Sequence, residues 1–261
     1  MSEEWALVGI DPTTPSPARM YDYYLGGKDN FEADRTAAER VLEQIPNGRE
    51  MITENRRFLG RAVQYLAGEA GIGQFVDIGT GLPTQGNVHE IAQATDPNAR
   101  VAYVDNDPVV LAHSRALLSH NTPGVATIQA DMRDPEAILA HPELRALIDL
   151  NQPVAVLFVA VLHFLTEDED PYSIVDHVRQ MLPSGSYLVV SHGDASPQVK
   201  AAERVYEQAT SRAQGRTRAQ IERFFHGLEM VAPGLVYVQH WRPDGDEYSG
   251  DLVLGGIGYK P

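Results

Sequence analysis

The stretch QFVDIGTGLPTQGNVHE, residues 74–90, has the residue types of a nucleotide-binding turn and one departure from it. An apolar run reaches Asp77, and Gly79 and Gly81 follow at the spacing that such a turn requires. A dinucleotide-binding turn has a third glycine, which lets the following helix pack close to a pyrophosphate, whereas this chain has Thr84 there. The stretch is therefore either a chance pair of glycines or a turn that holds something other than a pyrophosphate.

Polar side chains follow further apolar runs. Asp105 and Asn106 come after VAYV, Asp131 and Met132 come after ATIQA, and His163 comes after VAVLFVAVL. In an open parallel sheet, ligands bind outside the carboxyl ends of the strands, and a carboxylate at Asp105 could accept hydrogen bonds from both hydroxyls of a ribose. Each feature has an ordinary alternative, because a strand-end aspartate is often a helix cap and His163 could be a core histidine. Their order along the chain favours a ligand site.

The elements that must position these residues alternate between short apolar runs and helical segments. Near-continuous apolar runs separated by helices predict a parallel sheet that is covered on both faces. Residues 196–231 are expected to be helical. GLVYVQHWRP and DLVLGGIGYK then follow with only DGDEYSG between them, which predicts an antiparallel hairpin. We therefore expect an α/β fold with a doubly wound, mostly parallel seven-stranded sheet and an antiparallel C-terminal hairpin.

Helical segments also precede the sheet. Ser16 is expected to cap a first helix that ends near Gly26, and Asp29 with Glu32 has the form of a capping box for a second. We expect residues 1–70 to form a helical extension and residues 71–261 to form the main domain.

Within the extension, residues 16–31 are rich in tyrosine and glycine. One interpretation is an amphipathic helix packed on the rim of the sheet. The other is a lid, in which Tyr21 and Tyr24 cover the ligand and make cation–π contacts with a positive group.

The composition narrows the class of protein. The chain has 261 residues, no cysteine and a net charge of −15, so it offers no thiolate for a metal site or for catalysis, and no metal is expected. The negative charge argues against a nucleic-acid partner, because it repels phosphate backbones. No apolar run approaches the roughly 20 residues that span a bilayer, and no secretory signal opens the chain. We expect a cytoplasmic protein without a membrane partner.

The chain resembles a family of S-adenosylmethionine-dependent methyltransferase-like proteins, largely of unassigned substrate. The resemblance is carried by SPARMYDYYLGGKDNF, by NRRFLGRAVQYLAGEAGIGQFVDIGTGLPTQGNVHEIAQ and by VAYVDNDPVVLAHSRALL, and it continues through VLHFL and FFHGLEMVAPGLV. It implies a class I, Rossmann-like methyltransferase fold and S-adenosylmethionine as the cofactor. A nucleoside without a pyrophosphate would also tolerate Thr84 in place of the third glycine.

The resemblance also implies roles for the strand-end residues. The turn residues Asp77, Gly79 and Gly81 would face the methionine moiety, and the cofactor-binding set includes Asp105 on the ribose, Asn106 beside it, and Asp131 with Met132 at the adenine. Arg56, Arg57 and Arg61 lie on the helix before the sheet, and Arg57 is expected to pair with the cofactor carboxylate, since arginine suits bidentate carboxylate recognition.

Three functions remain open at this point. The first is a methyltransferase that acts on a small-molecule acceptor, with His163 or Tyr21 as the candidate catalytic base and His192 as an alternative. The second is a regulatory protein that binds S-adenosylmethionine or S-adenosylhomocysteine without catalysis. The third is an NAD-dependent oxidoreductase, against which the missing third glycine and the C-terminal hairpin both argue. The sequence names neither the acceptor nor the oligomeric state.

Overall fold

The computed structural model describes residues 11–83, 86–116, 122–245 and 250–261. Five parallel strands, β1 (Gln74–Ile78), β2 (Arg100–Asp105), β3 (Val125–Gln129), β4 (Ala155–Val159) and β5 (Tyr187–Gly193), lie in the order β3-β2-β1-β4-β5. The two-residue strands β6 (Glu229–Met230) and β7 (Val236–Tyr237) both pair antiparallel with β8 (Val253–Tyr259), which itself runs antiparallel to β5. The predicted mixed, mostly parallel α/β sheet is confirmed, but the described residues form eight strands in place of the predicted seven, because two short strands pair with β8. Because strand order reverses between β1 and β4, the switch point lies there.

Helices cover both faces of the sheet. They are α1 (Pro17–Tyr24), α2 (Glu32–Gln44), α3 (Gly48–Gly68), α4 (Val88–Thr95), α5 (Pro108–Ser114), α6 (Pro135–Ala140), α7 (Pro142–Leu147), α8 (Pro171–Met181), α9 (Pro197–Tyr206) and α10 (Arg218–Glu222). Strand side chains alternate between two cores, so that Val76 and Phe158 lie in one and Phe75 and Leu157 in the other. Among the described residues, none of the helices is both long and apolar enough to cross a membrane.

The helices before the sheet divide into two groups. The apolar side of α3, including Phe58 and Val63, belongs to the same core as β1 and β2. In contrast, α1 and α2 form a smaller core that α9 joins through Ala202. The predicted boundary between residues 70 and 71 stays a prediction, but the packing groups α3 with the sheet, because its apolar stripe covers one face of the strands.

The predicted start of the second helix is wrong by two residues, because the N-cap is Phe31 and not Asp29. Asp29 does not cap it; instead its backbone N–H donates to Asp22 Oδ2 at 2.9 Å, which keeps the chain in a turn. The helix begins at Glu32, and the Asp34 carboxylate accepts the backbone N–H of Phe31 at 2.8 Å. The first helix begins at Pro17 after Ser16, as predicted.

The C-terminal third is less regular than predicted. Residues 196–231 contain the helix α9 and the short helix α10, and a loop over 207–217 separates them. Gly215 lies within this loop, where the backbone passes so close to Asp194 that a Cβ atom would be 2.2 Å from the Asp194 carbonyl oxygen. The antiparallel hairpin is confirmed in direction, but β7 has only two residues, since the chain then turns to bury Trp241 against Phe58.

Candidate functional site

A cavity of about 320 Å³ lies at the carboxyl edge of the sheet, at the switch point. Its sheet side is formed by residues at or just after the ends of the first four strands, among them Asp77, Gly79, Gly81, Asp105, Asn106, Met132 and Ala160. Its other side, which we call the cover, is formed by residues 11–21 and 210–211, among them Asp11, Ser16, Arg19, Tyr21, Thr210 and Ser211. The structure therefore brings most of the predicted strand-end residues to one cavity. Thr84 lies outside the described residues.

The two glycines shape the turn between β1 and the cavity. Both have left-handed backbone conformations, with φ of 73° at Gly79 and 68° at Gly81. A Cβ atom at Gly79 would lie 2.1 Å from Val161 Cγ2, whereas a Cβ atom at Gly81 would meet nothing within 4 Å. Gly79 is therefore required for packing of the turn against the end of β4. Gly81 leaves open space beside the backbone, where a ligand could approach.

Asp105 ties this turn to the end of β2. Its Oδ2 accepts the backbone N–H of Gly81 and its Oδ1 accepts that of Asp107, each at 2.9 Å. A carboxylate has about four lone-pair sites, so each oxygen can accept one more hydrogen bond. Burial raises the pKa of Asp105 to about 6, although the two backbone hydrogen bonds act to lower it. The chain thus holds a desolvated carboxylate rigidly on the cavity wall with two acceptor sites to spare.

Asp77 is the second carboxylate on the wall. It is 5% exposed, and its Oδ2 accepts the hydroxyl of Thr80 at 3.0 Å. Burial raises the pKa of Asp77 to about 6, against smaller contributions from Thr80 and from the positive charge of Arg56. Within the described residues, neither Asp77 nor Asp105 takes part in a salt bridge. Two such carboxylates favour a ligand with hydroxyl groups or positive charge.

Of the two residues that were predicted to contact the adenine, one lies on the cavity wall and the other lies beside it. Met132 lines the cavity. Asp131 is 41% exposed and lies outside the lining set; it accepts the Asn106 amide at 3.4 Å and pairs with Arg133 at 3.1 Å. Asn106 and Arg133 themselves line the cavity. The apolar contact at this end therefore comes from Met132, and Asp131 is placed to orient Asn106.

Of the two predicted tyrosines, only Tyr21 reaches the cavity. Tyr24 is buried in the small core between α1, α2 and α9. Because Tyr21 and Tyr24 are three residues apart on a short helix, they lie near one face of it. Tyr24, at the end of the helix, nevertheless packs against α9. Tyr21 accepts the Asn55 amide at 3.1 Å, and burial raises the pKa of its phenol.

The predicted cationic residue is displaced by one position. Arg57 lies outside the cavity lining, is 56% exposed and pairs with Glu54 at 2.7 Å. Its neighbour Arg56 lines the cavity and donates to the Gly86 carbonyl at 3.2 Å. Successive residues of a helix point about 100° apart, so only one of the two arginines can face the cavity.

His163 lies beside the cavity and is not part of its lining. Its ring packs 4.4 Å from that of Phe164, which does line the cavity, and 5.5 Å from that of His192. Burial, with the positive charge of Arg216, lowers the pKa of His163 to about 4. His192 in turn accepts a hydrogen bond from Arg216 at 2.9 Å. These contacts favour the alternative of a core histidine for His163, because the ring is a weak base and does not contact the cavity.

A buried ion pair that the sequence analysis did not identify holds the cover. Arg19 Nε donates to Asp34 Oδ2 at 2.8 Å, and the side chains are 4% and 0% exposed. Asp34 Oδ1 accepts the backbone N–H of Ser16 at 2.8 Å, and the Ser16 hydroxyl donates to Asp107 at 2.6 Å. The cover is also joined to the loop after α9, where Thr210 donates its backbone N–H to the Pro15 carbonyl at 2.9 Å. No spacing in the sequence marks this pair, because Arg19 and Asp34 lie on different helices.

A parallel sheet finished by an antiparallel strand, with a glycine turn and a strand-end carboxylate at its switch point, defines a Rossmann-like methyltransferase fold. The chain belongs to the S-adenosyl methyltransferase family, whose model matches residues 3–261. No curated protein matches the chain.

Solved structures agree with this assignment. A candidate methyltransferase from Thermobifida fusca YX is 45% identical, with a TM-score of 0.91 and 97% of each chain covered. A DUF574 family protein from Streptomyces avermitilis MA-4680 is 43% identical, with a TM-score of 0.91 over 96% of this chain and 99% of that one. A magnesium protoporphyrin IX methyltransferase from Synechocystis PCC 6803, solved with S-adenosylhomocysteine, shares the fold at 12% identity and a TM-score of 0.56, over 93% of each chain.

Proposed function

We propose that this protein transfers a methyl group from S-adenosylmethionine to a small-molecule acceptor. The observation that carries the proposal is the cavity itself, in which Asp77, the glycine turn and Asp105 meet beneath a cover. When bound, the cofactor would supply an electrophilic methyl group on a sulfonium, so the protein has to bind and orient the reactants.

The residues of the cavity fit this cofactor. Asp105 has two acceptor sites left for the ribose hydroxyls, and Met132 offers an apolar surface for the adenine. The open space beside Gly81 admits a ligand close to the backbone. Asp77 would favour the positive charges of the methionine moiety, because it is a buried carboxylate without a salt bridge among the described residues.

The cover supports a small acceptor. Residues of the segments 11–21 and 210–211 line the cavity together with the strand ends, and backbone and side-chain hydrogen bonds join these segments to each other and to Asp107. A protein or nucleic-acid acceptor would have to reach past both segments. The net charge of −15 also opposes a nucleic acid.

Orientation is the main contribution that we assign to the protein. Tyr21 lines the cavity, but burial raises the pKa of its phenol, which therefore holds its proton at neutral pH. His163 lies off the wall. An acceptor whose nucleophilic atom needs no prior deprotonation by a side chain suits this site, since alignment alone can lower a barrier by several kcal/mol.

Calorimetry tests the cofactor, and turnover tests the activity. We expect S-adenosylmethionine and S-adenosylhomocysteine to bind in the micromolar range and NAD not to bind. Release of label from methyl-labelled cofactor across a metabolite library would identify the acceptor. The reverse preference, for NAD, would contradict the proposal. Tight cofactor binding without turnover on any acceptor would favour a regulatory binding protein instead.

Substitutions at Gly79 and at Gly81 should differ in their effects on stability and on cofactor binding. Gly79→Ala is expected to destabilise the turn and to abolish cofactor binding, because its Cβ atom would lie 2.1 Å from Val161. Gly81→Val is expected to leave the protein folded and to block the cofactor, since its side chain enters open space. Thermal melts followed by calorimetry with S-adenosylhomocysteine would check both. A folded Gly81→Val protein with unchanged affinity would place the cofactor elsewhere.

Cofactor affinity should fall as the pH falls through about 6, where burial places the pKa of Asp77 and of Asp105. Protonation removes the negative charge that each group would present to the ligand. The effect on stability has the opposite sign. Because the folded-state pKa lies above the unfolded value near 3.9, these groups lower the free energy of unfolding as the pH rises from about 4 to 6.

Asp77→Asn isolates this effect. At pH 7 the free energy of unfolding of the variant should exceed that of the wild type by about 2 kcal/mol, so the variant should melt at a higher temperature. It should also bind S-adenosylmethionine less tightly. The stability difference should disappear below about pH 4, where the wild-type carboxyl is protonated in both states. Melts and calorimetry between pH 4 and 8 would measure both quantities. A less stable variant at pH 7 would show that Asp77 supports the fold.

A further inference from the structure

A chain of hydrogen bonds crosses the interior from the end of β4 to the cavity. The backbone N–H of Ala160 donates to Ser191 Oγ at 2.9 Å, and Ser191 Oγ donates to Asn55 Oδ1 at 2.6 Å. Asn55 Nδ2 then donates to the Tyr21 hydroxyl at 3.1 Å. Asn55 and Ser191 are 2% and 0% exposed. These hydrogen bonds, which we call the relay, connect the end of β4, β5, α3 and α1. The relay therefore fixes Tyr21 relative to the sheet.

The relay also sets the direction of each hydrogen bond. A backbone N–H can only donate, so Ser191 Oγ accepts from Ala160 and has its own proton to give. That proton goes to the Asn55 oxygen, which leaves the Asn55 amide nitrogen facing Tyr21. The Tyr21 oxygen is therefore an acceptor within the relay, and its own proton is directed elsewhere. Tyr21 is a hydrogen-bond donor to whatever lies beyond the relay.

The present acceptor for this proton is poor. The Tyr21 hydroxyl donates to the Ile52 carbonyl at 3.4 Å, whereas hydroxyl hydrogen bonds usually span about 2.5–3.0 Å. A ligand atom at ordinary distance would be a better partner, and a charged one would be better still. Burial raises the pKa of Tyr21, so the proton stays on the phenol at neutral pH.

The charges around Tyr21 indicate which ligand group it would meet. Arg56, next to Asn55 on α3, lines the same cavity, and its positive charge acts on both Tyr21 and Asp77. A cation, a phenol donor and the Asp77 carboxylate that line one cavity suit a zwitterion, with its carboxylate toward the donors and its ammonium toward Asp77.

We propose that Tyr21 donates a hydrogen bond to the carboxylate of the amino-acid moiety of the bound cofactor, and that Asn55 and Ser191 are positioning residues that fix its proton for this contact. The inference rests on the proposed use of S-adenosylmethionine. It assigns to Tyr21 the binding of a negative group, and not proton abstraction from the acceptor.

Two ligands that differ only in this carboxylate test the assignment. Calorimetry would compare S-adenosylmethionine with decarboxylated S-adenosylmethionine on the wild type and on Tyr21→Phe. We expect the variant to bind S-adenosylmethionine about ten- to a hundredfold more weakly, and the decarboxylated ligand within about threefold of the wild type. Tyr23→Phe is the matched control, because Tyr23 lies on the same helix, donates to Glu39 at 2.5 Å and does not line the cavity. It should change neither affinity.

The positioning role is tested by Ser191→Ala. Without the Ser191 proton, the Asn55 amide is no longer held in one orientation, so we expect a smaller loss that is again confined to the carboxylate-bearing ligand. An equal loss for both ligands in Tyr21→Phe, or no loss for either, would overturn the assignment while leaving the proposed function intact. A wild-type protein that bound neither ligand would overturn both.

Discussion

Asp105→Ala is expected to weaken binding of S-adenosylmethionine by roughly ten- to ten-thousandfold. The carboxylate lies on the cavity wall, and each oxygen already accepts a backbone N–H and can accept one ribose hydroxyl. Removing it would delete one or two hydrogen bonds to a charged group, each worth about 1.5–3 kcal/mol. It would also release the Gly81 N–H and loosen the turn. Calorimetry on the purified variant would measure the loss.

Asp134→Ala is the matched control. Like Asp105, Asp134 accepts a backbone N–H with its carboxylate, that of Ala137 at 2.9 Å, but it caps α6 and does not line the cavity. This change should cost about 1 kcal/mol of stability and leave cofactor affinity unchanged. If Asp105→Ala bound the cofactor as tightly as Asp134→Ala, the ribose would have to lie elsewhere in the cavity.

Arg19→Met is expected to lower the free energy of unfolding by about 3–5 kcal/mol, because it leaves the buried Asp34 carboxylate without its counter-ion. Both side chains are almost fully buried, at 4% and 0% exposed. Arg19 also donates to the Thr14 carbonyl at 2.6 Å, so the same change would release the cover from α2. Chemical denaturation at pH 7 would give the free energy.

An exposed ion pair within α2 provides the comparison. Arg35 pairs with Glu32 at 2.8 Å, and the two side chains are 40% and 83% exposed. Arg35→Met should cost less than about 1 kcal/mol, since water screens such a pair. Similar losses for Arg19→Met and Arg35→Met would show that the buried pair contributes little to holding the cover.

The sheet and the carboxyl-edge residues were predicted from the sequence for a local reason. Strands that are buried on both faces need nearly continuous apolar runs, so each run and the polar residue that ends it are visible in the sequence. Asp77, Gly79, Gly81, Asp105 and Met132 each follow such a run closely, and the structure places all of them on the cavity wall. Their contacts with the cofactor stay predictions.

Among the predicted site residues that lie off the cavity wall, Arg57 and Tyr24 are on helices of the extension, whereas Asp131 and His163 follow β3 and β4. Arg56 and Arg57 are adjacent, and Tyr21 and Tyr24 are one turn apart, so composition and spacing fit either member of each pair. Only the rotation of α3 and α1 against their neighbours decides that Arg56 and Tyr21 face the cavity.

The sequence by itself determined the fold class, the family and the order of the strand-end residues, because these depend on short-range patterns of apolar, polar and glycine residues. The tertiary structure alone decided the pairs that join distant parts of the chain. Ser191 meets Asn55 across 136 residues, and Ser16 meets Asp107 across 91. Such pairs have no spacing in the sequence to identify them, since they exist only where packing brings buried polar groups within hydrogen-bonding distance and leaves them no water as an alternative partner.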